Sequence, residues 1–329
     1  MLRALLTGDR ALIPLRNDEG LPDRLAGTDL DLTIGAAQTL DGMTHRVGEI
    51  GRGLGWTPVF VNRRSYMVAM PLLGPDGESA VHLDIFDGIG VWGCRLIEPG
   101  LLEQEARSGE VRSLSNRAVV LVTLVHHLCW NGGFTNPEYF SRLKTALASD
   151  RPWLEGELSR IFGRAFADQI CNAPEDLATG RAGRRSRALV NVLGRGLLRR
   201  PLATLRGLAR YAGDHVRTLV RPTGLVAGPR AVVPGTDHLL TLEVACRLEP
   251  HSFAVPHVQA AGSELRSANG ERYEESLRSR WAKSARLRRL APSLYLWFQA
   301  KRGEVIMLER LPRLLVLLAK VTKARWISV

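Results

Sequence analysis

With 329 residues, 45% of them hydrophobic and 24% charged, the chain has the composition of a globular protein long enough for two domains, which excludes an intrinsically disordered one. Its four cysteines, Cys94, Cys129, Cys171 and Cys246, are far apart with no Cys-x-x-Cys pair, so neither a zinc site nor a disulfide framework is expected, and a reducing cytoplasm suits them. The formal net charge of +12 points toward anionic partners.

The opening run from Met1 to Leu6 is too short for a signal peptide, and Asp9 and Arg10 interrupt it. No stretch has the length of uncharged apolar residues that a membrane span needs, so a cytoplasmic protein, soluble or peripheral to the inner face of the membrane, is expected. The next informative segment is Gly27-Thr28-Asp29-Leu30-Asp31-Leu32-Thr33-Ile34. Read as a strand, it places Leu30, Leu32 and Ile34 on one face and both aspartates on the other. Two carboxylates that close are costly unless a cation lies between them, and oxygen ligands suit Mg2+ or Mn2+. The bland alternative makes Asp29 a turn or cap residue and Asp31 a solvated strand position. Arg46 and Arg52 follow on a predicted helix and are further candidates for binding phosphate.

Residues 66–73 and 81–87 then read as two strands of a hairpin joined by Gly74-Pro75-Asp76-Gly77. In the second strand Val81, Leu83 and Ile85 alternate with His82, Asp84 and Phe86. Asp84 thereby becomes a third carboxylate on a strand of matching pattern. Three such groups could hold one or two metals against a nucleoside triphosphate.

Leu15-Arg16-Asn17, Gly27-Thr28-Asp29-Leu30-Asp31 and His82-Leu83-Asp84-Ile85-Phe86 together resemble the nucleotidyltransferase fold of the polymerase-beta type. The nearer resemblance is to bacterial proteins that carry this domain ahead of a thymidylate-kinase-like region, many of them associated with surface-polysaccharide loci. The resemblance implies that Asp29, Asp31 and Asp84 are catalytic metal ligands and that Arg16, Asn17, Gly27 and Thr28 contact the nucleotide. Arg16-Asn17 stands where the wider superfamily has Gly-Ser, exchanging close backbone approach for a charged fork of donors.

Ala118 to Cys129 is almost wholly apolar and reads as a buried helix under the sheet, stopped by Asn131-Gly132-Gly133. His126, His127 and Cys129 diverge around such a helix, which favours core or cap roles over a metal site. Residues 137–170 continue a helical layer. Residues 181–230 then carry twelve arginines against one acid, Asp214, with leucines and valines at helical spacing and a break at Pro201. Three readings stand for this stretch: a solvated interdomain helix, an element on an anionic membrane surface through residues 181–221, or a nucleic-acid contact. Tyr211 is its one aromatic, which argues against the last.

Arg221-Pro222-Thr223-Gly224 resembles the junction before a kinase-like region. The following Val232 to Leu242 has the outline of strand, loop and helix, without the lysine and second glycine of a phosphate-binding loop. Gly303 to Pro312 resembles a kinase strand with Glu309 in place of aspartate, and Leu311 to Lys323 reads as a terminal helix. The expected architecture is α/β: a nucleotidyltransferase-like mixed sheet of α+β type over 1–110, a helical subdomain with an arginine-rich connector over 111–222, and a reduced, truncated kinase-like α/β part over 223–329. The expected activity is metal-dependent transfer of a nucleotidyl group from a nucleoside triphosphate to a hydroxyl or phosphate acceptor, a small molecule or a saccharide. The alternatives are a catalytically decayed scaffold or nucleotide-binding regulator at an anionic membrane, and a residual nucleotide kinase.

Overall fold

A computed structural model of the chain describes residues 1–220, apart from 8–11, 17, 19, 24, 26–28, 59–60, 77–78, 135–136 and 179–180, and beyond these the backbone of short strands. The chain opens with α1 (Leu2–Leu6), β1 (Ile13–Pro14), β2 (Asp29–Thr33) and α2 (Leu40–Gly53). There follow β3 (Thr57–Pro58), β4 (Asn62–Arg64), β5 (Met67–Leu73) and β6 (Ala80–Phe86). These six strands form one mixed sheet in the order β1-β2-β6-β5-β3, with β4 also on β5. β2 and β6 run parallel; the other pairings are antiparallel.

The alternation of β2 and β6 explains why they lie side by side. Leu30, Leu32, Ile34, Val81, Leu83 and Ile85 are all at most 5% exposed and share one core with Leu40, Met43 and Val47 of α2. Thr39 caps α2, its hydroxyl accepting from the Gly42 amide at 3.2 Å. β5 is buried along its whole length, as its nearly unbroken apolar sequence requires. The β5–β6 hairpin forms over the expected residues. Asp76 organises the turn by accepting from the Ser79 amide at 2.8 Å.

A second core is mainly helical. It is entered through β7 (Ile89–Val91) and β8 (Cys94–Ile97), a hairpin not foreseen from the sequence, and then α3 (Pro99–Gln104) and the short pair β9 (Ala106–Arg107) and β10 (Ser113–Leu114). α4 (Asn116–Trp130), α5 (Pro137–Phe162), α6 (Arg164–Asn172), α7 (Ala182–Arg199) and α8 (Pro201–Val220) complete it. α4 is apolar on nearly every side and is buried accordingly. Its partners are Ile13, Leu15, β7, β8 and the other helices, rather than the leucine face of the main sheet. Gly132 ends it at φ +70°, where an added Cβ would lie 2.0 Å from the Arg181 carbonyl oxygen. α5 bends at Asp150 (φ −131°), just ahead of Pro152. The break between α7 and α8 falls at Arg200-Pro201, as the sequence suggests.

Beyond residue 220, β11 (Val226–Ala227), β12 (Ala231–Val232), β13 (Leu239–Leu240), β14 (His257–Ala261), β15 (Glu264–Arg266) and β16 (Ile306–Leu308) are described. β16 lies between β11 and β14, parallel to both. The segment read as strand, loop and helix is corrected here. Leu239–Leu240 is a strand paired antiparallel with Ala231–Val232, so the start expected for a helix is the return arm of a hairpin. Glu309 and the expected terminal helix lie outside the described residues.

One polar cluster ties the helices together. Arg117 donates twice to Glu105, at 2.8 and 2.6 Å, and its guanidinium lies 4.7 Å from the Trp153 ring centroid. Ser115 also donates to Glu105, at 2.5 Å. These contacts, led by the Arg117 hydrogen bonds, hold the Glu105 carboxyl below its ordinary value against the opposing effect of burial. Arg117→Ala should lower unfolding stability by about 2 kcal/mol, since it strands a carboxylate that is 9% exposed. Glu105 has a depressed folded pKa, so its contribution is present above the unfolded value near 4.5 and fades as pH falls through the folded one. Urea denaturation of both proteins between pH 7 and pH 3 should show a gap that is constant above about pH 5 and narrows below it.

Candidate active site

The parallel register of β2 and β6 sets Asp31 directly beside Asp84, and Asp29 beside His82. Antiparallel pairing then places Ala69 of β5 on the far side of Asp84. The row Asp31–Asp84–Ala69 therefore runs across the sheet on the face opposite the leucines. Ala69 is 1% exposed and adds no polar group beside Asp84. Thr33 and Phe86, two residues along each strand on the same face, close the lower end, and Phe86 packs against the helical core. The acidic row thus faces the side of the sheet on which the helical body sits.

Arg16 enters this face from the edge. The Leu15 amide donates to the Asp31 carbonyl at 2.9 Å and extends the β1–β2 pairing, which brings the next residue level with the aspartate. Arg16 Nε then donates to Asp31 Oδ2 at 2.5 Å, with Asp31 12% and Arg16 29% exposed. Among the described residues no arginine or lysine pairs with Asp84. Its side chain is 12% exposed, and its Oδ1 has no hydrogen-bond partner among the described residues. His82 Nε2 stands 3.2 Å from that oxygen without hydrogen-bond geometry.

The end of α4 lies near enough to Arg16 for its charge to act on two histidines. His126 and His127 are both pushed below the ordinary histidine value, first by burial and then by the Arg16 charge, so both are neutral at pH 7. His126 keeps an exposed edge and lines a small recess with Val91, Val125, Cys129 and Trp130. His127 is buried; its Nδ1 accepts from the Asn131 amide at 3.1 Å, and its ring packs on Phe134 and Tyr139. Burial raises the Cys129 thiol to about 12. His127 and Cys129 behave as cap and core groups, as their divergence around a helix predicts, whereas His126 is exposed. The proximity of His126 to Arg16 was missed, because nothing in the sequence relates residue 126 to residue 16.

Of the residues singled out from the sequence, Asp31, Asp84 and Arg16 come together. The side chain of Asp29, and all of Asn17, Gly27 and Thr28, lie outside the described residues. Arg46 and Arg52 do not join the site. They belong to α2, which covers the leucine face, and Arg52 donates to the Gly48 carbonyl of its own helix. Among the described residues no three His, Cys, Asp or Glu side chains gather in metal-ligating geometry. The donor set nevertheless suits a hard divalent cation, for it offers two adjacent carboxylates, one with a buried oxygen that lacks a partner.

No protein-family model and no curated protein matches the chain. Among solved structures it is similar to JHP933 from Helicobacter pylori, with 14% identity and a TM-score of 0.30 over 66% of this chain and 88% of that one. A second H. pylori protein, described as a candidate nucleotidyltransferase, aligns at 14% identity and a TM-score of 0.27 over 66% and 90% of the two chains. Scores this low do not establish a shared fold.

Like charges directly opposite on neighbouring strands are destabilising, and residues kept for function rather than stability often carry such a penalty. Asp84→Asn should therefore raise unfolding stability by about 0.5–1 kcal/mol in urea denaturation at pH 7. A loss of more than about 1 kcal/mol would instead assign Asp84 a structural role.

Proposed function

We propose that the protein is a divalent-metal-dependent nucleotidyltransferase, moving a nucleotidyl group from a nucleoside triphosphate to a hydroxyl or phosphate acceptor. The observation that carries this reading is the register Asp31–Asp84, two carboxylates from strands 53 residues apart held side by side, with Arg16 on one and a buried, unpartnered oxygen on the other.

In this reading Asp31, together with Asp29, holds the cation that meets the triphosphate, and Asp84 shares it. A bound Mg2+ or Mn2+ supplies neutralisation of phosphate charge and a lowered pKa for the acceptor hydroxyl. Asp84 stands where it can take the proton of that hydroxyl as the oxygen attacks the α-phosphorus and pyrophosphate departs. Arg16 neutralises Asp31 while no nucleotide is present. Once a triphosphate is bound, the Arg16 guanidinium would turn from the carboxylate to phosphate oxygens. Asn17, Gly27 and Thr28 complete the phosphate contacts on this view.

Residues 223–329 admit a second reading as a reduced kinase-like α/β unit. The parallel pairing of β16 with both β11 and β14 supports it. The hairpin at 231–240 and a sequence with no Gly-x-x-x-x-Gly-Lys loop speak against phosphate transfer there.

The test is calorimetric titration of ATP, GTP, CTP and UTP with Mn2+ into the full chain and into Asp31→Asn. One nucleotide should bind only with the metal, and the variant should lose at least about 100-fold in affinity while unfolding at an unchanged temperature. Metal-independent binding, or an unaltered Asp31→Asn, would remove the assignment.

A further inference from the structure

The α7–α8 corner has apolar residues on both of its sides. On α7, Ala188, Leu189 and Val192 are buried in the helical core. At 100° per residue, Val190 and Leu197 fall on the opposite side of the helix, 67% and 42% exposed, and Leu198 beside them is 86% exposed. On α8, Thr204 and Gly207 face inward, while Leu202 and Leu205 face outward at 69% and 54% exposed. These five account for most of the large hydrophobics exposed among the described residues. Scattered exposed leucines are ordinary, but a contiguous group at one corner marks an interaction surface.

The fold holds this face outward. Gly207 of α8 meets Gly93 in the β7–β8 turn so closely that a Cβ on Gly93 would lie 2.0 Å from the Gly207 carbonyl oxygen. Gly196 of α7 likewise lies against Thr204 of α8, where an added Cβ would meet the Thr204 hydroxyl at 2.8 Å. With backbone in contact on the inner side, neither helix can roll its leucines inward.

Charge identifies the partner. Arg199 and Arg200 sit between the corner leucines, and Arg206 and Arg210 follow on exposed positions of α8. Residues 181–230 contain one acid, Asp214, and apart from the pairing of Arg200 with Glu98 at 3.7 Å these charges meet no acid among the described residues. A convex apolar tip with a rim of guanidinium groups fits the headgroup–acyl boundary of an anionic bilayer. Nucleic acid fits less well, since Leu198 and Leu202 offer no ring to stack on bases and gain nothing from phosphate. No helix among the described residues is long and apolar enough to cross a membrane, so the contact is interfacial.

We propose that the α7–α8 corner docks the protein on an anionic lipid surface, with Leu197, Leu198, Leu202 and Leu205 entering the interface and the flanking arginines meeting lipid phosphates. This inference is independent of the nucleotidyltransferase assignment.

The experiment is cosedimentation of the full chain with vesicles of phosphatidylcholine alone and of an equimolar mixture with phosphatidylglycerol. The protein should pellet with the mixture only, less so as salt is raised. Leu198→Glu/Leu202→Glu should weaken partitioning by about tenfold or more, and Arg199→Gln/Arg206→Gln by about tenfold. Both variants should keep the wild-type unfolding temperature and elution volume without lipid. Leu198→Ser/Leu202→Ser stands in if the glutamates prevent folding. Failure of the wild type to pellet with the mixture would overturn the proposal, as would equal pelleting of the leucine variants. A lowered unfolding temperature or altered elution volume of the serine variant without lipid would also overturn it, by assigning the face to residues 221–329 or to a second copy of the chain.

Discussion

The parallel pairing of β2 with β6 is the contact on which the rest of the molecule depends. It joins two strands that alternate in the same phase, so a single register satisfies both faces at once. On one side six aliphatic residues enter the core beneath α1 and α2. On the other, Asp31 and Asp84 are forced together. A slip of one residue would turn the carboxylates into the aliphatic core and the leucines onto the acidic face, so apolar burial enforces the juxtaposition of charges. The unfavourable pair is held in place by the favourable one.

That arrangement makes the surroundings of the carboxylates the deciding feature. Arg16 offsets the charge of Asp31 through a hydrogen bond, and it reaches that position because β1 adds to the edge of β2. Asp84, one strand further in, receives no equivalent among the described residues. The asymmetry leaves one carboxylate paired with a cation and the other with a buried oxygen that has no hydrogen-bond partner among the described residues.

The helical body packs against the elements that carry the acidic row. Its core is continuous with Leu15, Ile89 and Val91, which fixes β1 and the β7–β8 hairpin against α4. The Glu105–Arg117 cluster locks the start of α4 to the bend of α5. At the far end, the Gly93–Gly207 contact brings α8 against the hairpin without an intervening side chain. The same close packing leaves the outer leucines of α7 and α8 with nowhere to turn among the described residues.

The sequence alone determined what depends on local pattern. Period-two alternation marked β2 and β6; an apolar run before a turn marked β5; an apolar run with a capping glycine marked α4; Pro201 marked the α7–α8 break. Alternation also put Asp31 and Asp84 each on the polar face of its strand, because strand geometry admits no other choice once the leucines are buried. What it could not determine is which strands are neighbours. That Asp31 faces Asp84, that Arg16 reaches Asp31, and that α2 carries Arg46 and Arg52 to the wrong side of the sheet are all consequences of strand order. The misread segment 231–240 has the same cause, for a short apolar run after a turn suits a helix and a hairpin arm equally until a partner strand is present. His126 went unnoticed as a neighbour of Arg16 because a contact across 110 residues is made by the packing of two cores, and nothing in local periodicity encodes it.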